Sequence, residues 1–294
     1  MSASNFKINK LAIIGVGLIG GSLAIALRQA GVVRQIVGCG RGKANLEKAV
    51  ELEVIDEFTH DVAEAVSGAD LVFVAVPLGA MKSVFESMAA NLKPDAVVTD
   101  GGSAKACVIQ DWIDVFGNDS QFVAGHPIAG TENSGVEAAL PDLYQSRRII
   151  LTPTASVDPE AVKRVESMWQ ACGSEVTHMS VELHDQVLAA TSHLPHVLAF
   201  GLVDSLDKLE THDEIFKYAA GGFRDFSRIA SSNPVMWRDI CVANHEALTA
   251  VLDSFIDDLQ NLSAMIKNQD GDALLKVFQD AKQARDDFID GLSD

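Results

Sequence analysis

The sequence has little positive charge. Its 294 residues include 23 lysines and arginines but 41 aspartates and glutamates, which gives a formal net charge of −18 at pH 7. A protein this acidic is repelled by phosphate backbones and by anionic lipid headgroups, so we expect neither nucleic acid nor a membrane as a partner. A small anionic substrate remains compatible with this charge, because an acidic protein can contain a basic pocket.

Cysteine and long apolar segments are also scarce. The four cysteines (Cys39, Cys107, Cys172 and Cys241) are scattered, without a CxxC pair or a metal-ligand spacing. This pattern predicts free thiols in a reducing compartment and no metal site. The first ten residues contain no apolar signal-peptide core, and no apolar run reaches membrane-spanning length. We therefore expect a cytoplasmic protein.

A glycine-rich turn near the N-terminus is the strongest local signal. In residues 10–27, KLAIIGVGLIGGSLAIAL, a short apolar strand pattern leads into Gly15, Gly17 and Gly20 and then into an apolar helix pattern. The GxGxxG spacing in this context is typical of dinucleotide binding. The glycines make the tight turn, admit the pyrophosphate and let helix and strand pack closely. The alternative is a glycine-rich turn in another kind of α/β protein.

The end of the second strand pattern bears on the choice of cofactor. NAD-binding units usually place an acidic residue about twenty residues after the last glycine, where it binds the ribose hydroxyls. Here that place holds Gly40, followed by Arg41. Because a carboxylate is missing and a guanidinium is near, we expect NADP or NAD, with NADP slightly favoured. In the alternative, Arg41 and Lys43 are only solvated loop charges. The expected cofactor-binding residues are Gly15, Gly17, Leu18, Ile19, Gly20, Arg41, Val76 and Pro77.

Strand and helix patterns alternate as far as about residue 178. This alternation predicts one largely parallel, doubly wound sheet of the Rossmann type, with ligands bound beyond the carboxyl ends of the strands. From Ser180 onward the pattern is helical, with one long helix expected over residues 235–266. We predict an α/β fold with a dinucleotide-binding domain in residues 1–179. An all-helical domain in residues 180–294 would bind substrate and form the dimer.

The last long helix pattern carries a wide apolar stripe. Apolar residues recur at spacings of three and four between Leu248 and Ile266. The stripe is wider than packing against a single neighbouring element requires. We therefore expect a homodimer formed through the helical domain. The alternative is that the core of a single chain covers the whole stripe.

Four short segments are unlike segments that only pack. They are DGGSAK (100–105), GHPIAGTE (125–132), SHLPH (192–196) and GGFRDFSRIA (221–230). The first two follow strand patterns directly, so we expect Ser103 and His126 at the ligand-binding edge of the sheet. A histidine between glycine and proline at a strand end favours a functional role for His126, the alternative being a structural histidine.

With these motifs, the chain resembles the prephenate and arogenate (cyclohexadienyl) dehydrogenases of tyrosine biosynthesis. The segments GVGLIGGS, TDGGSAK, GHPIAGTE, SHLPH and GGFRDFSRIASSNPVMWRDI stand in family order and cover nearly the whole chain. The resemblance implies NAD(P)-dependent oxidative decarboxylation of prephenate, arogenate or both. In that reaction the ring carbon bearing the hydroxyl gives hydride to the nicotinamide, the ring carboxylate leaves as carbon dioxide, and the ring becomes aromatic.

The resemblance also assigns roles to individual residues. His126 would be catalytic and would accept the hydrogen bond or proton of the hydroxyl as hydride leaves. Ser103 would hydrogen-bond the same hydroxyl and hold His126 in register. Arg228 would bind the ring carboxylate through its planar fork. The remaining substrate-binding candidates are His196, His193, Glu132 and Trp237.

Some of these residues have other interpretations. His193 and His196 have a spacing that metal ligands use, although no further ligand is evident near them in the sequence. Arg228 could pair with Asp225 or Asp239 instead of substrate.

Two other functions remain open. One is a two-domain dehydrogenase of the 3-hydroxyacid or imine reductase type, which would carry a catalytic lysine on the first helix of its second domain. Here that region offers His184, His193 and His196 and no lysine before Lys208. The other is a dinucleotide-binding sensor, which would turn over no cyclohexadienol.

Overall fold

The predicted Rossmann-type sheet is confirmed. The computed structural model describes residues 6–131 and 133–291. Within them, six parallel strands pair in the order β3-β2-β1-β4-β5-β6, which is the order of dinucleotide-binding sheets. The strands are β1 (Ile8–Ile14), β2 (Val33–Cys39), β3 (Glu57–Thr59), β4 (Leu71–Val74), β5 (Val97–Asp100) and β6 (Phe122–Val123).

Helices cover both faces of this sheet, because its central strands are apolar on both sides. On one face Phe73 packs edge-on against Trp169, with ring centroids 5.6 Å apart. On the other face Trp112 stacks on Phe122 at 4.8 Å. The helices of this region are α1 (Leu18–Gln29), α2 (Lys43–Glu51), α3 (Val62–Val66), α4 (Met81–Met88), α5 (Ala106–Phe116) and α6 (Pro159–Ala171).

The last three strands form a second sheet, so the expectation of a single sheet as far as residue 178 is wrong. They are β7 (Gly125–Pro127), β8 (Arg148–Leu151) and β9 (Glu175–His178), with β7 antiparallel to β8 and β8 parallel to β9. The physical reason lies at Gly125, whose amide donates to the Asp100 carboxylate at 3.0 Å instead of to a neighbouring strand. Pro127 then has no N–H to offer a ladder.

Helices follow from Ser180 onward, where the side chain of Ser180 caps the first of them by accepting from the Leu183 amide. The expected helix over residues 235–266 is interrupted at Asn244, so two helices stand in its place. The helices are α7 (Val181–Leu188), α8 (Leu194–Asp207), α9 (His212–Lys217), α10 (Gly221–Ser227), α11 (Pro234–Ala243), α12 (His245–Lys267) and α13 (Gly271–Asp290).

The structure divides into two compact units. One ends at His245 and contains both sheets together with α7 to α11, and the other begins at Glu246. The change from mixed strands and helices to helices alone does fall at Ser180. The domain boundary that we placed between residues 179 and 180 stays a prediction.

The helical run over Val181–Asp207 departs from our expectation about apolar segments. A π-helical turn at Ala189–His193 joins α7 to α8 without a break. The 27-residue run is long and apolar enough to cross a membrane, so the expectation of no such segment is wrong. It also buries His184, Asp185 and His193. These polar groups hydrogen-bond within the protein, through Lys105, Ala106 and Asn244.

Candidate functional site

The glycine turn between β1 and α1 has the geometry that the motif requires. Gly15 has a φ of +102°, and a side chain there would collide with the carbonyl oxygen of Ala75. A side chain at Gly20 would collide with the Gly15 carbonyl oxygen. Only glycine can therefore occupy these two positions in this turn.

Gly17 differs from its two neighbours because a Cβ atom there would meet no protein atom within 4 Å. Gly17 is the N-cap of α1. A side chain at this position would project into open space beside the free amides of that helix. This space fits the pyrophosphate of a dinucleotide, which binds at such helix N-termini. Leu18 and Ile19 begin α1, and Val76 and Pro77 follow β4, where the Val76 side chain lies beside Gly15.

Gly40 and Arg41 lie directly beyond the carboxyl end of β2. Gly40 does not have a positive φ, and a Cβ atom there would make only ordinary contacts with Leu46, at 3.7 Å or more. The fold therefore does not require glycine at this position. Arg41 is exposed and makes no ion pair with a described residue.

A buried ion pair supports the far end of β5. Lys105 and Asp100 are both fully buried, and Nζ of Lys105 lies 2.5 Å from Oδ2 of Asp100. The same Nζ donates to the Gly125 carbonyl at 2.7 Å, and the Asp100 carboxylate accepts from the Gly102 amide at 2.8 Å. These bonds join the segments that carry Ser103 and His126 into one rigid group.

His126 on β7 is held by a second histidine. Its Nδ1 lies 2.9 Å from Nε2 of His184, and Nδ1 of His184 lies 2.8 Å from the Asp185 carboxylate. Both oxygens of Asp185 are also bonded to backbone, accepting from the amides of Lys105 at 2.8 Å and Ala106 at 2.9 Å. We call the chain Asp185–His184–His126 the histidine relay.

The relay fixes where the protons lie. The carboxylate of Asp185 can only accept, so His184 carries a proton on Nδ1, and in the neutral ring its Nε2 is an acceptor. His126 must then donate from Nδ1, which leaves its Nε2 as an unprotonated base. That Nε2 makes no hydrogen bond with a described residue.

The electrostatics keep His126 neutral. Burial lowers the pKa of His126 well below its usual value, and the nearby Lys105 ammonium lowers it further. Burial by itself would raise the pKa of Asp185, but bonds from His184 and the two backbone amides outweigh that effect and the net shift is downward. At neutral pH His126 is therefore a neutral imidazole, and Asp185 is a carboxylate.

A second group of side chains lies on α8, α11 and the turn before α11. The ring of His196 stacks on Trp237 with centroids 3.6 Å apart, and its Nδ1 bonds to the Ser192 carbonyl at 2.8 Å. Burial lowers the pKa of His196, the Ser192 carbonyl raises it, and the charge of Arg228 lowers it, with a net downward shift. Arg228 is exposed and makes no ion pair with a described residue, and Asp239 pairs with Arg238 instead, at 2.6 Å.

His193 links this group to the relay through Asn244. The Asn244 side-chain amide donates to the Asp185 carbonyl at 2.8 Å and lies 3.1 Å from Nδ1 of His193. Nδ1 of His193 therefore accepts, and its Nε2 carries the proton. That N–H and the indole N–H of Trp237 are buried without a hydrogen-bond partner among the described residues. Burial lowers the pKa of His193 to about 4, against a smaller opposite effect of Asp185.

The expectations for Ser103 and Glu132 have different outcomes. The partner of His126 Nδ1 is His184, and the role that we expected of Ser103 stays a prediction. Ser103 is half-buried in the segment braced by Lys105, where its backbone faces His193. Glu132 lies outside the described residues.

Sequence reasoning missed Asp185 and Asn244, and it named His184 and Lys105 without giving either of them a role. His184 and Asp185 sit within an ordinary amphipathic helix pattern, and no glycine or proline marks them. The metal-ligand interpretation of His193 and His196 finds no support, since no cluster of three or more ligating side chains occurs within residues 6–131 and 133–291.

Together, a dinucleotide turn, a histidine base and a set of unpaired N–H donors define an NAD(P)-dependent dehydrogenase of the Rossmann type with a helical second region. A family model for the nucleotide-binding domain of prephenate dehydrogenase matches residues 23–178, and one for the dimerization domain matches residues 180–280. The chain belongs to the prephenate dehydrogenase family.

Individual relatives agree with this assignment. The chain is 41% identical to a cyclohexadienyl dehydrogenase of Zymomonas mobilis over 277 residues, covering 94% of each chain. The structure of prephenate dehydrogenase from Aquifex aeolicus, in complex with hydroxyphenyl propionate and NAD+, superposes with a TM-score of 0.90. It is 38% identical and covers 96% of this chain and 99% of that one. A Synechocystis arogenate dehydrogenase structure gives a TM-score of 0.80 at 30% identity, covering 95% of this chain and 99% of that one.

We predict that acid destabilises the protein through the buried histidines. The pKa of His193 falls from 6.5 to about 4 on folding. Between those values the unfolded chain binds a proton that the folded protein does not, so the free energy of unfolding decreases as the pH is lowered. One such histidine contributes about 1.4 kcal/mol per pH unit. In urea unfolding between pH 6.5 and 4.5, His193→Gln should make this decline shallower by up to that amount.

The matched control is His212→Gln, which removes a histidine whose side chain is 44% exposed and should leave the slope unchanged. Equal slopes for the unmodified chain and His193→Gln would contradict the prediction.

Proposed function

We propose that this chain oxidises and decarboxylates prephenate, arogenate or both, with a nicotinamide dinucleotide as hydride acceptor. The observation that carries the proposal is the free Nε2 of His126, held as a base by the histidine relay, which Asn244 links to His193. The relatives support the substrate class, since they are cyclohexadienyl, prephenate and arogenate dehydrogenases.

His126 acts on the ring hydroxyl in this proposal. Hydride can leave the hydroxyl-bearing carbon only if the oxygen releases its proton, because a carbonyl forms there. Nε2 of His126 accepts that proton, and the positive charge that develops spreads through His184 toward the Asp185 carboxylate. The relay thus interacts more strongly with the transition state than with the ground state, which is what accelerates the step.

The side chains around His196 bind the anionic end of the substrate. The guanidinium of Arg228 lacks an ion pair among the described residues and can bind a carboxylate through two parallel hydrogen bonds. The unpaired N–H groups of Trp237 and His193 are also suited to oxygen acceptors. A keto or carboxylate oxygen would satisfy donors that otherwise cost free energy when buried.

The bound nicotinamide supplies the hydride acceptor. The C–COO⁻ bond of the ring breaks, carbon dioxide leaves, and the bonding electrons enter the ring, which becomes aromatic as its oxygen takes back a proton. The protonated His126 can return that proton, so the base is regenerated within one turnover.

NADP is the cofactor that we propose, with NAD also accepted. The support is Gly40, which carries no carboxylate although the fold leaves room for a side chain, and the exposed, unpaired guanidinium of Arg41. Both features favour a 2′-phosphate over a free ribose hydroxyl. The thiols of all four cysteines are free, and we propose a cytoplasmic location on that basis.

A two-by-two assay of prephenate and arogenate with NAD and NADP tests the function, with reduced nicotinamide followed by absorbance. We expect turnover with at least one of the two substrates and the release of carbon dioxide in equal amount. A dinucleotide-binding sensor would turn over neither substrate. A reductase of the hydroxyacid or imine type would oxidise a different substrate without releasing carbon dioxide.

We predict opposite kinetic signatures for the base and the carboxylate-binding residue. His126→Asn should lower kcat by about a hundredfold or more with little change in KM, because the lost interaction forms in the transition state. Arg228→Ala should mainly raise KM, by about ten- to a hundredfold, since it loses charge-assisted hydrogen bonds of roughly 1.5–3 kcal/mol. Steady-state kinetics of both variants provide the measurement.

The control is Arg224→Ala, which removes an exposed guanidinium one helical turn before Arg228 and should change neither parameter. Near-normal kcat in His126→Asn, together with an unchanged KM in Arg228→Ala, would contradict the assigned roles.

We also propose that the chain forms a homodimer through its C-terminal helices. The family model that matches residues 180–280 describes a dimerization domain. Large apolar side chains on α12 and α13 remain exposed in the single chain, so its own core does not cover the stripe that we identified in the sequence. Examples are Ile256, Leu259, Ile266, Leu275 and Phe278, with 41% to 62% of their surface exposed.

In sedimentation velocity at micromolar concentration, we predict a dimer for the unmodified chain. Leu259→Glu should shift it toward monomer, because a buried, unpaired carboxylate would be created in the interface. Asn261→Glu adds the same charge on the opposite side of α12 and should leave the dimer intact. A monomeric unmodified chain would contradict the proposal.

A further inference from the structure

We propose that His60 is a specificity-determining residue that binds the 2′-phosphate of NADP together with Arg41. This inference rests on the proposed use of NADP and extends it to a residue outside the glycine motif. His60 lies twenty residues after Gly40, and neither its sequence context nor the segments that resemble the family single it out.

The sheet brings His60 next to Gly40. β2 and β3 are parallel neighbours in which Cys39 pairs with Thr59, so Gly40 and His60 are the first residues beyond the two strands. Nδ1 of His60 lies 2.7 Å from the carbonyl oxygen of Gly40. The imidazole therefore lies beside the residue at which an NAD-binding protein usually carries its ribose-binding carboxylate.

This hydrogen bond determines what the other ring nitrogen can do. A carbonyl oxygen only accepts, so Nδ1 of His60 carries a proton and Nε2 is the remaining nitrogen. The side chain is exposed, and its Nε2 has no hydrogen-bond partner among the described residues. In the neutral ring Nε2 is an acceptor, so His60 must take up a proton before it can donate to a phosphate.

The groups around the imidazole suit a dianionic ligand. Arg41 and Lys43 follow Gly40 directly, and Lys43 makes only a long ion pair with Glu47, at 3.6 Å. The thiol of Cys39 is uncharged at neutral pH, because burial raises its pKa to about 11. The cluster is therefore cationic on the side of β2.

Each acidic side chain near His60 already has a hydrogen-bond donor. Asp61 accepts from the Ala63 amide at 2.9 Å as the cap of α3. Glu64 accepts from the Thr59 hydroxyl, and Glu57 accepts from Gln35 at 2.9 Å. These bonds hold the carboxylates in place, which leaves Nε2 of His60 available to a ligand phosphate.

Coupling between phosphate binding and protonation distinguishes this role from a structural one. A phosphate monoester has its second pKa near 6 and is fully ionised at about pH 8. Binding of NADP at pH 8 should therefore draw a proton onto His60, whereas binding of NAD should not. This proton uptake is measured by titration calorimetry in two buffers that differ in ionisation enthalpy.

The test uses the full chain and four ligands: NADP, NAD, 2′,5′-ADP and 5′-AMP. His60→Gln should lower the affinity for NADP and for 2′,5′-ADP about five- to tenfold, as expected for the loss of an exposed charge-assisted hydrogen bond. It should also abolish the proton uptake and leave the affinity for NAD and 5′-AMP within about twofold. His212→Gln is the matched control, because His212 is another exposed histidine whose Nδ1 lies 3.0 Å from a backbone carbonyl.

The possible outcomes distinguish a failure of the inference about His60 from a failure of the NADP proposal. Arg41→Ala can lower the affinity for NADP selectively while His60→Gln changes neither affinity nor proton uptake. In that case the inference about His60 is wrong and the NADP proposal stands. If the unmodified chain binds 2′,5′-ADP no better than 5′-AMP, the NADP proposal itself fails. Selective loss of NADP binding and of proton uptake in His60→Gln establishes the inference.

Discussion

The buried ion pair between Asp100 and Lys105 is the interaction on which the site depends. It lies at the point where β5 ends, and its hydrogen bonds to Gly102 and Gly125 tie two loops to one strand end. Leaving one partner of such a pair unpaired costs about 3–5 kcal/mol, so the two charges and their hydrogen bonds are retained or lost together. Because Gly125 immediately precedes His126, the ion pair sets the position of His126.

The same lysine connects the sheet to the first helix of the helical region. The Lys105 and Ala106 amides bond to the Asp185 carboxylate on α7, and that carboxylate orients His184 and, through it, His126. The positive charge of Lys105 also disfavours protonation of His126. Position, tautomer and protonation state of the base thus follow from one connected set of buried polar groups, which is the preorganisation that catalysis requires.

Much of the fold could be predicted from the sequence because the signals are local. The apolar run before Gly15 and the spacing of the three glycines require only the geometry of one turn, and steric exclusion at Gly15 and Gly20 accounts for that spacing. The second sheet was not predictable in the same way. Its strands are short, and its separation from the first sheet depends on the long-range bond between the Gly125 amide and Asp100.

The sequence by itself determined the class of fold, the dinucleotide turn and the segments that carry Ser103, His126, His196 and Arg228, since each depends on a few neighbouring residues. Only the tertiary structure decided which side chains meet. His184 lies 58 residues from His126, and Asn244 lies 51 residues from His193, yet each pair is within hydrogen-bond distance. No local pattern encodes such pairings, because they arise when helices pack against strand ends and buried polar groups must find partners.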